Sequence, residues 1–282
     1  MGESFVPLSE VSKLEIVELL NMIFHDYVLK MHWSLENLER ELKENDVSLS
    51  DSFVMFEDGR KIGIALLSVR RKRCRIAYMG ILKAYRGTGL GFRMMDKIVN
   101  ICKWHGAKEI VLEVPEMDRQ AVRFYEKFGF RKNRRLVTFY KKLVRKVDDG
   151  KYEIKSGELN KVVELAYESV SRFKRRPNWH REPENLRWLE GYEVCKVKDN
   201  EGNEIGNCVW GCKDDVIYFM EILPGKDAGF DELLDILLDN FCKNYNYIMI
   251  PLVPEDDPLY ESAMRKGFDT VAWHIEMVLK LH

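Results

Sequence analysis

The sequence predicts a mixed α/β (α+β) fold built twice in tandem, and three observations carry that prediction. Apolar stretches alternate between strand-like and helix-like periods along the chain. Gly-Phe pairs at 129–130 and 267–268 stand 138 residues apart, and Lys-Leu pairs at 142–143 and 280–281 repeat the same offset. A polar, turn-rich break, Val147-Asp148-Asp149-Gly150-Lys151, separates the two copies. At roughly 150 residues per domain, the chain of 282 residues divides into expected domains at 1–146 and 151–282.

In the first copy, a short apolar piece (Phe5 to Leu8) precedes a helical pattern from Lys13 to about Met31, with Leu14, Val17, Leu20 and Phe24 on one face. A second helix, Leu35 to Leu42, follows Ser34 as its cap. Strands are expected at Ser52–Phe56 and Lys61–Val69 around an Asp58-Gly59 hairpin turn, and at Arg75–Leu82. Leu90, Met94, Ile98 and Cys102 form a helical stripe that stops near Gly106, and Ile110–Val114 is a compact apolar strand. Arg119–Phe128 reads as a helix capped by Asp118 and ended by Gly129, with Val137–Leu143 as the closing strand. The second copy repeats this order, with strands at 152–155, 192–198, 204–210, 215–222, 247–253 and 274–281 and helices at 159–170, 230–241 and 259–266.

Composition excludes several classes. The 45 basic and 46 acidic residues nearly cancel, which argues against a protein that coats nucleic acid. The longest apolar stretch, Ile62 to Val69, is too short to cross a bilayer. Glu3 stands where a secretory signal would carry positive charge, and Val6 where myristoylation wants Ser or Thr. A cytoplasmic protein without nucleic-acid or membrane partners is expected, with monomer and dimer both open. The six cysteines form no Cys-x-x-Cys pair, so they are expected as buried hydrophobes in a reducing compartment, with no metal site. Basic runs at 70–73, 131–135 and 174–176 are expected as solvated turns.

The chemistry concentrates in Ile81-Leu82-Lys83-Ala84-Tyr85-Arg86-Gly87-Thr88-Gly89-Leu90-Gly91, where three alternating glycines lie between a strand end and a helix start. Glycines there let a phosphate approach backbone N–H groups at a helix N-terminus. A dinucleotide fingerprint fails at Phe92, and no Gly-Lys-Ser/Thr triplet supports a Walker loop. A tight, ligand-free turn is the alternative.

Arg86-Gly87-Thr88-Gly89-Leu90-Gly91 resembles the pyrophosphate loop of the GNAT superfamily of acyl-CoA-dependent N-acyltransferases, and Ala121 to Phe130 is similar to that superfamily's second CoA motif. The resemblance covers roughly residues 4–145. It implies two GNAT-like domains, each a mixed, mostly antiparallel sheet flanked by helices. It further implies acetyl-CoA as co-substrate, held by Ile81, Leu82, Lys83, Arg86, Gly87, Thr88, Gly89, Leu90, Gly91, Asp118 and Tyr125. Asp118 stands where the family usually has Asn; it caps a helix equally well but cannot donate an amide hydrogen bond.

Glu113 interrupts an apolar strand, where an unpaired buried carboxylate costs several kcal/mol. A position lining an open cleft would avoid that cost and raise its pKa toward a useful base. Its spacing of 12 residues to Tyr125 resembles the ribosomal-protein alanine acetyltransferase branch, which implies Glu113 as base and Tyr125 as acid. A solvent-facing Glu113 and a packing role for Tyr125 are the alternatives. The expected activity is direct acetyl transfer to an amine, on a small molecule, a protein N-terminus or a lysine. A silent CoA-binding sensor or a protein-interaction scaffold is the rival reading. In the second copy, Pro224 to Phe230 spaces its glycines differently, Ala263 replaces the tyrosine and Ile248-Met249-Ile250 lacks a carboxylate, so a degenerate, structural copy is expected.

Overall fold

The computed structural model describes residues 2–145, 151–213 and 215–281; the break expected at 147–151 lies outside them except for Lys151. The chain forms two compact units, residues 1–133 with 275–282, and residues 134–274.

The first unit runs β1 (Glu3–Pro7), α1 (Lys13–Phe24), α2 (Leu35–Glu44), β2 (Phe53–Glu57), β3 (Arg60–Arg70), β4 (Arg73–Ile81), α3 (Leu90–Trp104), β5 (Glu109–Pro115) and α4 (Arg119–Phe128). Next come β6 (Arg131–Lys142), β7 (Tyr152–Ser156), α5 (Leu159–Arg172), α6 (Pro183–Leu186), β8 (Glu193–Asp199), β9 (Glu204–Lys213) and β10 (Val216–Pro224). The chain finishes with α7 (Phe230–Phe241), β11 (Tyr247–Pro254), α8 (Pro258–Arg265) and β12 (Asp269–Lys280). The mixed α/β class and the tandem repeat of elements are as the sequence implies.

In the first unit the strand order is β1-β2-β3-β4-β5-β12, antiparallel through β4 and parallel between β4 and β5. In the second it is β6-β11-β10-β9-β8-β7, with the single recorded parallel pair between β10 and β11. The closing strands have exchanged sheets. β6 from Leu136 to Lys142 pairs with β11 of the second unit, while β12 from Ile275 onward belongs to the first. There Leu281 N–H donates to the Lys108 carbonyl at 2.8 Å, and Lys280 pairs with Glu109. Alternating apolar residues specify that both segments are strands; the pattern is alike in both and does not say which sheet each completes.

Local sequence explains most element ends. Ser12 and Glu15 form a capping box on α1, Ser34 caps α2, and Asp118 caps α4 through a 3.0 Å bond from Ala121 N–H. Gly129 ends α4 at a φ of 112°. α1 stops at Phe24, short of the expected Met31. Arg86 is the reason: its Nη2 donates to the Ile23 carbonyl at 2.9 Å, and Tyr27 N–H turns to the Phe24 carbonyl instead. Each sheet packs its helices over a buried apolar core; in the first unit Ile275 and Met277 of β12 sit with Met94, Ile98, Ile110 and Leu112.

Met277 is fully buried in that core. Met277→Ala should therefore destabilise the first unit by about 2–5 kcal/mol, although the residue lies near the chain's other end. Chemical denaturation of the full chain measures this through a lowered midpoint for the transition that carries the first unit.

Candidate functional site

The site is built on an incomplete strand pair. β4 and β5 are paired over Arg73–Arg75 with Glu109–Val111, and among the described residues no strand pairs with that side of β4 from Ile76 to Ile81. Leu82 N–H donates to the Ile62 carbonyl of β3 at 2.8 Å. By the alternation of an antiparallel ladder, the N–H groups of Met79 and Ile81 therefore point away from β3, to the unpaired edge. A β-bulge at Ala77, between the Leu66–Tyr78 and Leu67–Ile76 pairs, re-aims this segment.

The chain then reaches the glycine loop. Gly87 and Gly89 hold φ of 81° and 91°, a left-handed conformation in which glycine avoids the Cβ clash. Gly91 answers a different need: a Cβ there would stand 3.0 Å from the Phe124 ring of α4. The Thr88 hydroxyl donates to the Tyr85 carbonyl at 2.7 Å and pins the turn. No backbone hydrogen bond among the described residues uses the N–H groups of residues 87–91, while Arg86 N–H is taken by the Lys83 carbonyl at 3.2 Å. Five successive amides thus remain at the N-terminus of α3, where the helix dipole favours an anion.

Two sequence-selected residues have other work for their side chains. The Arg86 guanidinium donates to the Ile81 and Ile23 carbonyls and clasps both Asp26 oxygens at 3.0 Å. That hydrogen bonding holds the Asp26 carboxyl below its usual range. Lys83 is exposed, 3.5 Å from Asp26. Arg86 is a clasp between α1 and the loop, so its side chain is not turned to a phosphate.

Glu113 is not the cleft-lining carboxylate that the sequence suggested. Its side chain is 5% exposed, and its Oε2 accepts from Nε of an equally buried Arg75 at 2.8 Å. The cost of burial is offset by an ion pair instead of by water. Oε1 is buried with no hydrogen-bond partner among the described residues. Arg75 Nη1 also donates to Asn45 Oδ1 at 3.0 Å, and the Asn45 amide donates to Glu41. Burial raises the Glu41 carboxyl to about 7, against the lowering pull of Arg75. Sequence reasoning missed Arg75, Asn45, Glu41 and Tyr78, all of which join Glu113 only through tertiary packing.

Tyr125 is half-buried on α4, edge-on to Phe124 and Phe130 at 5.3 and 5.5 Å. Burial pushes its hydroxyl above the ordinary tyrosine range, with Tyr27 and Asp118 adding to the effect. Tyr27 itself is raised to about 12 by burial and by Asp118. Tyr125 thus stays protonated at neutral pH and shares its surroundings with Tyr27 and Asp118. No hydrogen bond joins it to Glu113 among the described residues.

The second unit repeats the incomplete pair and fills it. β10 and β11 are paired over Val216–Tyr218 with Tyr247–Met249 only, and the bulge recurs at Met220. Into this gap projects Arg181, 1% exposed. Its guanidinium donates to Met220 and Phe219 carbonyls of β10 at 2.6 and 3.3 Å and to the Pro251 carbonyl of β11 at 2.7 Å. Beside it Arg175 is buried against Glu221 and Asp257 at 2.9 and 2.8 Å. The run at 174–176 was expected as a solvated turn; its central arginine instead compensates two buried carboxylates. Arg134, from another such run, is likewise buried, 2.9 Å from Asp256. After β10, a Cβ on Gly225 would collide with the Glu204 and Ile205 carbonyls, so that loop lies flat on β9.

Glu41 gives the first unit a pH signature. Its carboxyl is raised from 4.5 in the unfolded chain to about 7, so folding binds a proton between those values. Its contribution to stability is full below the unfolded pKa and is lost as pH rises through the folded one. Between pH 4.5 and 8 the melting temperature of Glu41→Gln should therefore rise relative to the native chain, by about 2–4 °C per kcal/mol of linkage. Parallel thermal melts of the two proteins check this, since their difference cancels all other titrations.

Residues 15–130 match the family model described as "Acetyltransferase (GNAT) family". The chain is 36% identical over 94 residues to N-alpha-acetyltransferase 30 of Schizosaccharomyces pombe, a stretch covering 32% of this chain and 63% of that protein. It is 35% identical over 77 residues to N-alpha-acetyltransferase 50 of Danio rerio, covering 27% of this chain and 46% of that one. The chain thus spans less than two thirds of the length of these relatives. Among solved structures, a tandem GNAT protein from the clavulanic acid biosynthesis pathway shares the fold over 99% of this chain and 98% of its own, with a TM-score of 0.68 and 11% identity. A GCN5-related N-acetyltransferase from Sphaerobacter thermophilus does so over 99% and 95%, with a TM-score of 0.67 and 13% identity. Residues 15–130, within the first unit, thus match the acetyltransferase (GNAT) family, and the chain along nearly its whole length shares the fold of a tandem GNAT protein.

Proposed function

We propose that the first unit transfers an acetyl group from acetyl-CoA directly to an amine, and that the second unit binds no acyl-CoA. The observation that carries this reading is the unpaired β4 edge leading into five uncommitted amides at the N-terminus of α3. Those donors fit the ligand in kind: the amides of residues 87–91 meet the pyrophosphate, and the Met79 and Ile81 edge meets the amide-bearing pantetheine arm as an added strand would. The family match supports acetyl-CoA as co-substrate. The relatives' names support the α-amino group of a polypeptide as the acceptor class.

Chemically, the acceptor nitrogen forms a bond to the thioester carbonyl carbon, and the carbon–sulfur bond breaks. The proton that the nitrogen sheds passes through water to Glu113 Oε1, which is buried and has no hydrogen-bond partner among the described residues. An edge amide of β4 donates to the carbonyl oxygen as it gains charge. Tyr125, kept protonated by its surroundings, offers its hydroxyl proton to the departing sulfur. Arg181 supports the second half of the proposal, because it already satisfies the carbonyls of the corresponding gap.

Calorimetric titration of the full chain should find one acetyl-CoA site. Gly89→Leu, which forces a side chain into a left-handed position, should weaken that site more than tenfold while the protein stays folded. Two sites of similar affinity, or unchanged affinity in Gly89→Leu, would count against the reading. With a panel of peptides bearing free α-amino groups, Glu113→Gln should lower kcat by about 10²–10⁴ and leave acetyl-CoA affinity within a few-fold. Tyr125→Phe should lower kcat with the acceptor KM little changed. Native rates in both variants would reassign the two roles.

A further inference from the structure

Behind Glu113, three elements converge on one buried circuit. From β5, Glu113 Oε2 accepts from Arg75 Nε on β4 at 2.8 Å; Arg75 Nη1 donates to Oδ1 of Asn45, at the C-terminus of α2, at 3.0 Å. Asn45 donates in turn to Glu41 Oε1, one turn back on α2, and the Tyr78 hydroxyl of β4 is hydrogen-bonded to the same carboxyl. The Asn45 main chain is anchored separately: its backbone carbonyl accepts from the Ser68 hydroxyl at 2.7 Å. The circuit places one central cation, Arg75, within reach of two carboxyls that enter from opposite ends.

We propose that Glu41 is a positioning residue for Glu113: through Asn45 and the shared Arg75 it sets how firmly Oε2 is held, and so how Oε1 is presented. The proposal rests on the reading of Glu113 as the base. With Glu41 neutral, Arg75 faces one carboxylate and its Nε is held on Glu113 Oε2. With Glu41 ionised, Arg75 is shared between two carboxylates and its hold on Oε2 weakens. The groups that face Glu41 are Arg40 and Glu44 from α2 and Arg75 and Tyr78 from β4. Tyr27 and Glu113 act on Tyr78 from beyond. The Glu41 carboxyl titrates at about 7, so the change falls at physiological pH, where an α-amine also begins to lose its proton.

The test reads Glu113 directly. The full chain is labelled with ¹³C at glutamate side-chain carboxyls, and the Glu113 resonance is assigned by its loss in Glu113→Gln. In the native protein that resonance should shift with an inflection near pH 7, which is the titration of Glu41 seen from Glu113. In Glu41→Gln, which keeps an acceptor for Asn45 but carries no charge, the inflection should vanish. A Glu113 resonance that is flat through neutrality in the native protein overturns the proposal without any positioning variant being made. So does an inflection that survives Glu41→Gln. A kinetic arm separates this from the base assignment. On one acceptor peptide, the ratio of native to Glu41→Gln kcat should change several-fold between pH 6 and 8 at an unchanged acetyl-CoA KM. A constant ratio counts against Glu41, whereas Glu113→Gln turning over at the native rate overturns the base assignment alone.

Discussion

A parallel strand pair that ends after three register positions is the constraint on which both units are built. Parallel neighbours need a crossover connection, here α3 in the first unit and α7 in the second, and each crossover leaves from a strand that has already parted from its partner. Beyond the last pair, strand edges carry N–H and C=O groups that must find partners if buried. In the second unit the chain supplies them itself: one guanidinium reaches Met220, Phe219 and Pro251 together. In the first unit Arg86 reaches the Ile81 carbonyl at the end of the β4 edge, no backbone hydrogen bond takes the Met79 and Ile81 N–H groups there, and the loop beyond adds five more unused donors among the described residues. The same backbone geometry is thus closed in one copy and open in the other. That contrast supports a ligand in the first copy more strongly than a glycine pattern can alone.

The Arg75–Glu113 pair shows how a carboxylate is kept in such a place. A lone buried carboxylate would surrender its charge, and one water-filled edge would not keep it dry. Arg75 satisfies one oxygen, and the other has no hydrogen-bond partner among the described residues. The same cation also faces Glu41, and one cation cannot fully compensate two buried anions. Glu41 bears the consequence: its carboxyl rises to about 7 while burial outweighs the pull of Arg75.

Features set by neighbours in sequence were legible. The Asp118 and Ser34 caps, the Gly129 helix stop, the alternating strands and the strand–loop–helix context of Arg86 to Gly91 all depend on residues within a turn of one another. Features set by distant partners were not. Arg75 meets Glu113 across 38 residues and Arg181 meets Pro251 across 70, and in the sequence each arginine reads as one more surface charge. The exchange of β6 and β12 was hidden for a different reason: two strands with the same offset and ending carry the same pattern, so either could complete either sheet. Arg86 was found through its motif, yet its side chain serves α1, because Ile23 and Asp26 were out of view.

Register lets the two copies be compared atom for atom at the gap. Arg75 opposite Val111 closes the first pair, and Tyr218 opposite Met249 closes the second. Counting from those positions puts Pro251 where Glu113 stands and Glu221 where Tyr78 stands, with the bulge residues Ala77 and Met220 in step. A proline brings no carboxylate and no N–H to the gap, only a carbonyl, and that carbonyl takes Arg181. Glu221, placed on the neighbouring strand, then needs cations, and Arg175 supplies the direct pair. Charge has therefore been redistributed at the same gap: the first copy holds a carboxylate on β5 with one free oxygen, and the second holds arginines with their donors engaged. Restoring a donor site in the second unit would require removing Arg181, which would strand the Met220 and Pro251 carbonyls and leave Glu221 with less positive charge. No single substitution converts one arrangement into the other, and this is why the copies are expected to differ in ligand binding despite a common fold.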